Sequence, residues 1–156
     1  MEMKNVGSRA LLKGARVLIV EDELLVANYL EELLGMEGCI VLGPASRVPE
    51  ALVLIERERP EAAILDLNLH GERTIAVAEA LKARRVPFVV VTGYGAEHVP
   101  DEPVLQQAPR LGKPFRSSQL LQALADTVAG AEQWSGAATE GNSLGQGIFS
   151  IRRRNS

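Results

Sequence analysis

Four short apolar runs in this 156-residue chain each end on a residue able to do chemistry. Val17-Leu18-Ile19-Val20 is followed by Glu21 and Asp22, and Ala63-Ile64-Leu65 by Asp66. Val89-Val90-Val91 is followed by Thr92, and Leu111-Gly112 by Lys113-Pro114-Phe115. A single carboxylate after a strand means little. Acid, acid, hydroxyl and amine in that order mean more, because in a parallel sheet the strand ends share one edge and the four groups meet there. Three carboxylates in one pocket repel one another unless a cation sits between them, and oxygen ligands with no His or Cys at useful spacing suit Mg2+. Magnesium bound this way keeps positions open for a phosphate-type oxygen. A hydroxyl and an ammonium aimed at the same pocket would neutralise the other oxygens of a phosphoryl group in its loose transition state. One of the carboxylates could then accept that group as an acyl phosphate.

The elements that must position these groups are legible in the spacing. After the first run, Leu25 or Val26, Tyr29 or Leu30, and Leu33 or Leu34 recur at helical period, with Glu31 and Glu32 on the other face and Gly35 and Gly38 as the stop. A second strand follows at about Cys39 to Gly43. Ser46 is placed to cap a helix carrying Val48, Leu52 and Ile55, which Pro60 closes. A third helix is expected from about Glu72 to Arg84, burying Ile75, Ala78 and Leu81. Between Ala96 and Gln107, Pro100 and Pro103 remove backbone donors, so the fourth helix is expected to be short or irregular. A fifth helix begins near Ser117 or Ser118, presents Leu120, Leu124 and Val128, and is expected to end by Gly130. Five strands alternating with helices predict an α/β fold: a doubly wound, flavodoxin-like parallel sheet in the order 2-1-3-4-5, helices on both faces, with a ligand crevice at the strand ends. Residues 1–14 read as an N-terminal extension and 15–130 as the domain. Residues 131–156, rich in Gly, Ser and Ala, read as a flexible or partner-docking tail, because Leu144, Ile148, Phe149 and Ile151 are too apolar for a pure spacer.

With these motifs in order, the chain resembles the receiver domains of two-component response regulators over roughly residues 15–130. The resemblance implies that Asp66 is the phosphoacceptor, that Asp22 ligates the metal directly and that Glu21 acts through water. It further implies that the Asn68 backbone carbonyl completes the metal site, that Thr92 and Lys113 contact the phosphoryl oxygens, and that Pro114 follows a cis bond. Pro87-Phe88-Val89-Val90-Val91-Thr92-Gly93-Tyr94-Gly95 is similar to the Pro-Phe-x-x-x-Thr-Gly-Tyr-Gly motif of alphaproteobacterial single-domain receivers linked to general stress signalling. The Asp66 to Gly71 segment fits the same group. One position departs from ordinary receivers: Arg110 stands where a switch aromatic is usual, three residues before Lys113. Tyr94 is therefore the expected moving part, with Thr92.

Composition narrows the partners. A net charge of −3 supplies no basic field for nucleic acid or an anionic membrane surface. Cys39 is the single cysteine, which excludes an internal disulfide and fits a reducing cytoplasm. His70 and His98 read as ordinary loop histidines. Nucleotide-loop, zincin and nucleophile-elbow motifs are absent. The expectation is a cytoplasmic, Mg2+-dependent phosphoacceptor rather than an enzyme, able to phosphorylate and dephosphorylate itself. Its partners would be a sensor histidine kinase or histidine phosphotransferase and a downstream signalling protein. A phosphate sink, a relay station and the receiver segment of a hybrid kinase are alternatives. A phosphatase working through an aspartyl phosphate needs a second acid two residues after the nucleophile, where Asn68 stands.

Overall fold

The computed structural model describes residues 9–93 and 102–144, with side chains through residue 131. In chain order the elements are β1 (Arg16–Val20), α1 (Leu24–Met36), β2 (Ile40–Ala45), α2 (Val48–Glu58), β3 (Ala62–Asp66), β4 (Asn68–Leu69), β5 (Glu72–Arg73), α3 (Ile75–Ala83), β6 (Phe88–Thr92), α4 (Pro103–Gln106), β7 (Arg110–Gly112) and α5 (Ser117–Leu144). Five strands form a parallel sheet in the order β2-β1-β3-β6-β7, and β4 and β5 form a separate antiparallel hairpin. The expected 2-1-3-4-5 order is thus present, with β6 and β7 as its fourth and fifth strands.

Alternation along the strands divides the core in two. Leu18, Val20, Ala63, Leu65, Phe88 and Val90 pack with α2, α3 and Leu105 of α4. Val17, Ile19, Ala62, Ile64, Val89 and Val91 pack with α1 and α5. Both faces are covered, which is why these strands read as continuous apolar runs rather than as alternating ones. Ahead of β1, Leu12 is fully buried in the α1/α5 half of the core, and the Gly14 N–H donates to Gly38 O at 2.7 Å. The lead-in therefore contributes to packing from at least that residue.

Several boundaries differ from the expectation. Arg47, not Ser46, is the N-cap of α2, and its side chain makes no capping bond. Glu50 instead reaches back to accept the Ser46 N–H at 3.0 Å. Helix α3 starts at Ile75 because Glu72 and Arg73 are taken by the hairpin, and its buried residues are Val77, Ala78 and Leu81. Of the segment from Ala96 to Gln107, residues 96–101 lie outside the described part, and the remainder holds the single turn of α4. Pro103 occupies its first turn, where a missing N–H costs nothing. Helix α5 does not stop at Gly130 but continues to Leu144.

Gly43 shapes the edge beside the site. Its φ is +87°, and an added Cβ would lie 2.8 Å from Ala45 N and 3.0 Å from Ile19 O, so only glycine fits. The register between β1 and β2 shifts there, and past the irregularity the Glu21 N–H donates to Ala45 O at 2.9 Å. The backbone of Glu21 is fixed just as the chain leaves the sheet.

Candidate functional site

Register places four of the candidate side chains at one edge. Val20 pairs with Leu65, Asp66 with Val91 and Thr92 with Gly112, so Glu21, Asp66, Thr92 and Lys113 emerge together at the carboxyl ends of neighbouring strands. The crevice lies between β1 and β3, where successive connections run to opposite faces of the sheet.

The carboxylates are packed closely. Oxygens of Glu21, Asp22 and Asp66 all lie within 4.8 Å of one another. Glu21 and Asp66 are 2% and 5% exposed, which removes water as a source of screening. Asp66 Oδ1 accepts the Asn68 N–H at 3.1 Å, and its Oδ2 accepts from Lys113 Nζ at 3.2 Å. Glu21 Oε2 accepts from the Glu23 N–H and from Lys113 Nζ, both at 3.1 Å. Glu21 Oε1 stands 3.0 Å from the same ammonium but has no hydrogen-bond partner. Asp22 Oδ2 accepts the His70 N–H at 2.8 Å.

Burial, reinforced by the neighbouring Asp66 charge, pushes the Glu21 carboxyl up to about 7 despite the lysine beside it. For Lys113, burial works against the charged form, but the Asp66 and Glu21 carboxylates outweigh it and hold the pKa above the ordinary lysine value. The two shifts look contradictory, since a lysine so strongly held should keep its partner ionised. They agree once charges are counted. Three carboxylates against one ammonium leave two negative charges in a buried space, so one carboxylate is driven toward neutrality. A divalent, oxygen-seeking cation would balance them, and the trio offers it carboxylate oxygens within 4.8 Å of one another. The residues fit Mg2+ on these grounds.

Thr92 and Lys113 are locked to each other through the backbone, the Lys113 N–H donating to Thr92 O at 2.8 Å. Thr92 is 3% exposed. The Lys113–Pro114 bond is cis. Tyr94 lies outside the described residues. Arg110 is half-buried, and its guanidinium donates to Leu105 O at 3.2 Å, at the carboxyl end of α4. That bond compensates the charge where the usual aromatic is missing.

The roles of four residues around the site were missed in the sequence. His70 and Gly71, with φ of +51° and +83°, make the two-residue turn of the β4–β5 hairpin, and that turn aims the His70 N–H at Asp22. Thr74 is fully buried and its hydroxyl donates toward Asp66 O (2.8 Å) and Leu67 O (3.1 Å), holding the backbone beneath the acid. Glu23 reaches Lys113 Nζ with Oε1 at 3.2 Å. Replacing Thr74 by Val keeps the shape but takes the hydroxyl from Asp66 O, while Leu67 O keeps the Thr74 N–H at 3.1 Å, so we expect a loss of about 1–3 kcal/mol in urea unfolding with the m-value unchanged. A wild-type midpoint would show that the hydroxyl bonds contribute nothing net.

A doubly wound parallel sheet with an acidic trio and a lysine at its switch point is the architecture of a receiver. Residues 17–125 match the response regulator receiver domain, and the chain belongs to that family. It is 33% identical over 114 residues to the transcriptional regulatory protein PdtaR of Mycobacterium tuberculosis, covering 70% of this chain and 54% of that protein. It is 38% identical over 115 residues to the positive alginate biosynthesis regulatory protein of Pseudomonas aeruginosa, covering 69% and 45%. The chain thus spans about half the length of these curated relatives. Among solved structures, the response regulator PhyR from Brucella abortus superimposes with a TM-score of 0.72 at 25% identity, covering 85% of this chain and 55% of that one. The receiver domain of the sensor histidine kinase PA1611 from Pseudomonas aeruginosa, solved with magnesium in its active-site cleft, shares the fold at 22% identity and a TM-score of 0.64, covering 74% and 98%. Among the described residues no helix is long and apolar enough to cross a membrane.

Proposed function

We propose that this chain is a Mg2+-dependent phosphoacceptor that takes a phosphoryl group from the phosphohistidine of a sensor kinase or phosphotransferase onto Asp66 and signals by protein contact. One observation carries the reading: Asp66 Oδ2 lies 3.2 Å from Lys113 Nζ within an acidic trio short of two positive charges. In the transfer a carboxylate oxygen of Asp66 bonds to phosphorus as the donor's N–P bond breaks, and the imidazole leaves with that electron pair. Glu21, Asp22, Asp66 and the Asn68 carbonyl would hold Mg2+, which when bound neutralises charge on the incoming group. Lys113 and Thr92 donate to the phosphoryl oxygens. The same cluster supports self-phosphorylation from small donors and hydrolytic self-dephosphorylation.

In this reading the phosphohistidine donor docks over the start of α1, where Leu24 and Leu25 are 71% and 83% exposed. Tyr29 and Phe115, with ring centroids 6.3 Å apart, extend that apolar rim beside Lys113. This supports a protein partner. Likeness to PhyR, described as a stress response regulator in one solved form, supports a role in general stress signalling. Residues 15–130 would be the receiver and 131–156 a flexible or partner-docking tail, its first part the continuation of α5 to Leu144, with Thr92 and Tyr94 the switch, in a cytoplasmic setting.

The test is incubation with Mg2+ and acetyl phosphate followed by intact mass. One added phosphoryl group, abolished by chelating the metal, is expected. Failure to gain mass under any Mg2+ concentration would overturn the reading. Metal titration into Asp22→Ala and Glu21→Ala adds detail. Glu21 is already engaged by Lys113 while Asp22 is not, so Asp22→Ala should cost the larger share of Mg2+ affinity, about tenfold, near the lower end for losing one charged ligand contact. Equal losses would contradict the assignment of Asp22 as the direct ligand.

A further inference from the structure

Lys113 Nζ has three N–H groups and four carboxylate oxygens around it: both oxygens of Glu21 at 3.0 and 3.1 Å, Asp66 Oδ2 at 3.2 Å and Glu23 Oε1 at 3.2 Å. Glu23 differs from the other two acids. It stands at the N-cap of α1, outside the acidic trio, and its side chain is 63% exposed, whereas that of Lys113 is only 16% exposed. Glu23 is also tied to the site through its backbone, whose N–H donates to Glu21 Oε2 at 3.1 Å, while its carbonyl accepts the Ala27 N–H at 2.9 Å. The helix start therefore fixes where this third carboxylate can reach.

The arrangement matters once a cation is present. A divalent ion drawing on Glu21 and Asp66 would take lone pairs that now face the ammonium and would repel the ammonium directly. Left to Glu21 and Asp66 alone, Lys113 would be pushed outward. Glu23 contributes no oxygen to the trio, so its hold on Lys113 is the one that a bound metal would leave in place. We propose that Glu23 is a positioning residue that keeps the Lys113 ammonium over Asp66 while the acidic trio is engaged by metal. This rests on the phosphoacceptor reading and adds a residue to it. Glu23 touches neither the phosphoryl group nor the metal. It acts through Lys113.

An exposed carboxylate acting on one ammonium is worth about 0.2–1 kcal/mol, so the expected effect is at most about fivefold in rate. The experiment measures the initial rate of phosphorylation by acetyl phosphate at saturating Mg2+ for wild type, Glu23→Ala and Glu23→Gln, and for Lys113→Met with and without Glu23→Ala. Mg2+ affinity is read separately by calorimetry. Glu23→Ala should slow the rate about three- to fivefold, with Mg2+ affinity unchanged within about twofold. Glu23→Gln keeps an oxygen acceptor for the ammonium and should recover much of the loss. On the Lys113→Met background, Glu23→Ala should have no further effect, because the group it positions is gone. Three results overturn the proposal while leaving the phosphoacceptor reading intact: a Glu23→Ala rate equal to wild type, a faster rate, which would make Glu23 merely a charge repelling the anionic donor, or an equal slowing on the Lys113→Met background. If wild type itself gains no phosphoryl group, both readings fall together.

Discussion

Asp66→Asn is expected to abolish the phosphoryl adduct of about 80 Da completely while leaving the fold intact. The chemical part is simple: an amide nitrogen or oxygen at this position does not form a stable acyl phosphate, and no other residue of the trio is held as Asp66 is. Glu21 is drawn toward its neutral form, and Asp22 Oδ2 is engaged by the hairpin at His70. The structural part follows from what Asn retains. Its amide oxygen can still accept the Asn68 N–H, and Thr74 bonds the backbone oxygen of residue 66, which the substitution leaves alone. Intact mass after incubation with Mg2+ and acetyl phosphate gives the first outcome, and a thermal melt gives the second. An adduct persisting in a folded Asp66→Asn protein would move the acceptor to Glu21 or Asp22.

How much of this was visible before the structure depends on what each residue had to signal. Val17 to Val20, Ala62 to Leu65 and Phe88 to Val91 are buried on both faces, so their strands announced themselves as unbroken apolar runs. Because β-α alternation then fixes a parallel sheet, Glu21, Asp22, Asp66, Thr92 and Lys113 could be placed at one edge from order alone. The hairpin could not. Its strands are two residues each, too short to show a period, and Glu72 and Arg73 looked like the start of a helix. Thr74 bonds carbonyls seven and eight residues back, a partnership with no pattern in the chain. Glu23 reads as one more acid near a helix start, and only the return of the chain 90 residues later brings Lys113 to it. Gly130 misled in the opposite direction. Glycine weakens a helix interior by about 1 kcal/mol relative to alanine, yet α5 passes through it, and no packing among the described residues accounts for that.

Lys113→Met should separate the two jobs proposed for the acidic trio, metal binding and phosphoryl acceptance. In the proposed transfer, removing the ammonium takes away a charged donor to the phosphoryl oxygens, and loss of one such donor typically slows a reaction by about 10²-fold. Phosphorylation from acetyl phosphate should fall by that order. Metal binding should move the other way. The ammonium lies 3.0–3.2 Å from oxygens of Glu21 and Asp66, where it competes with a cation for the same lone pairs and repels it. Without it, that competition and repulsion are gone, and the trio should bind Mg2+ at least as tightly as the wild type. The metal-free protein should suffer, since two buried carboxylates lose their counter-charge and one must take up a proton, so its melting temperature should drop and then recover more on adding Mg2+ than that of the wild type. Rate, affinity and thermal shift thus change in a combination that simple misfolding cannot produce, because a misfolded site would lose metal binding as well. If Lys113→Met lost Mg2+ affinity and rate in parallel, the lysine would be a structural support of the metal site, and its assignment to the phosphoryl oxygens would fail.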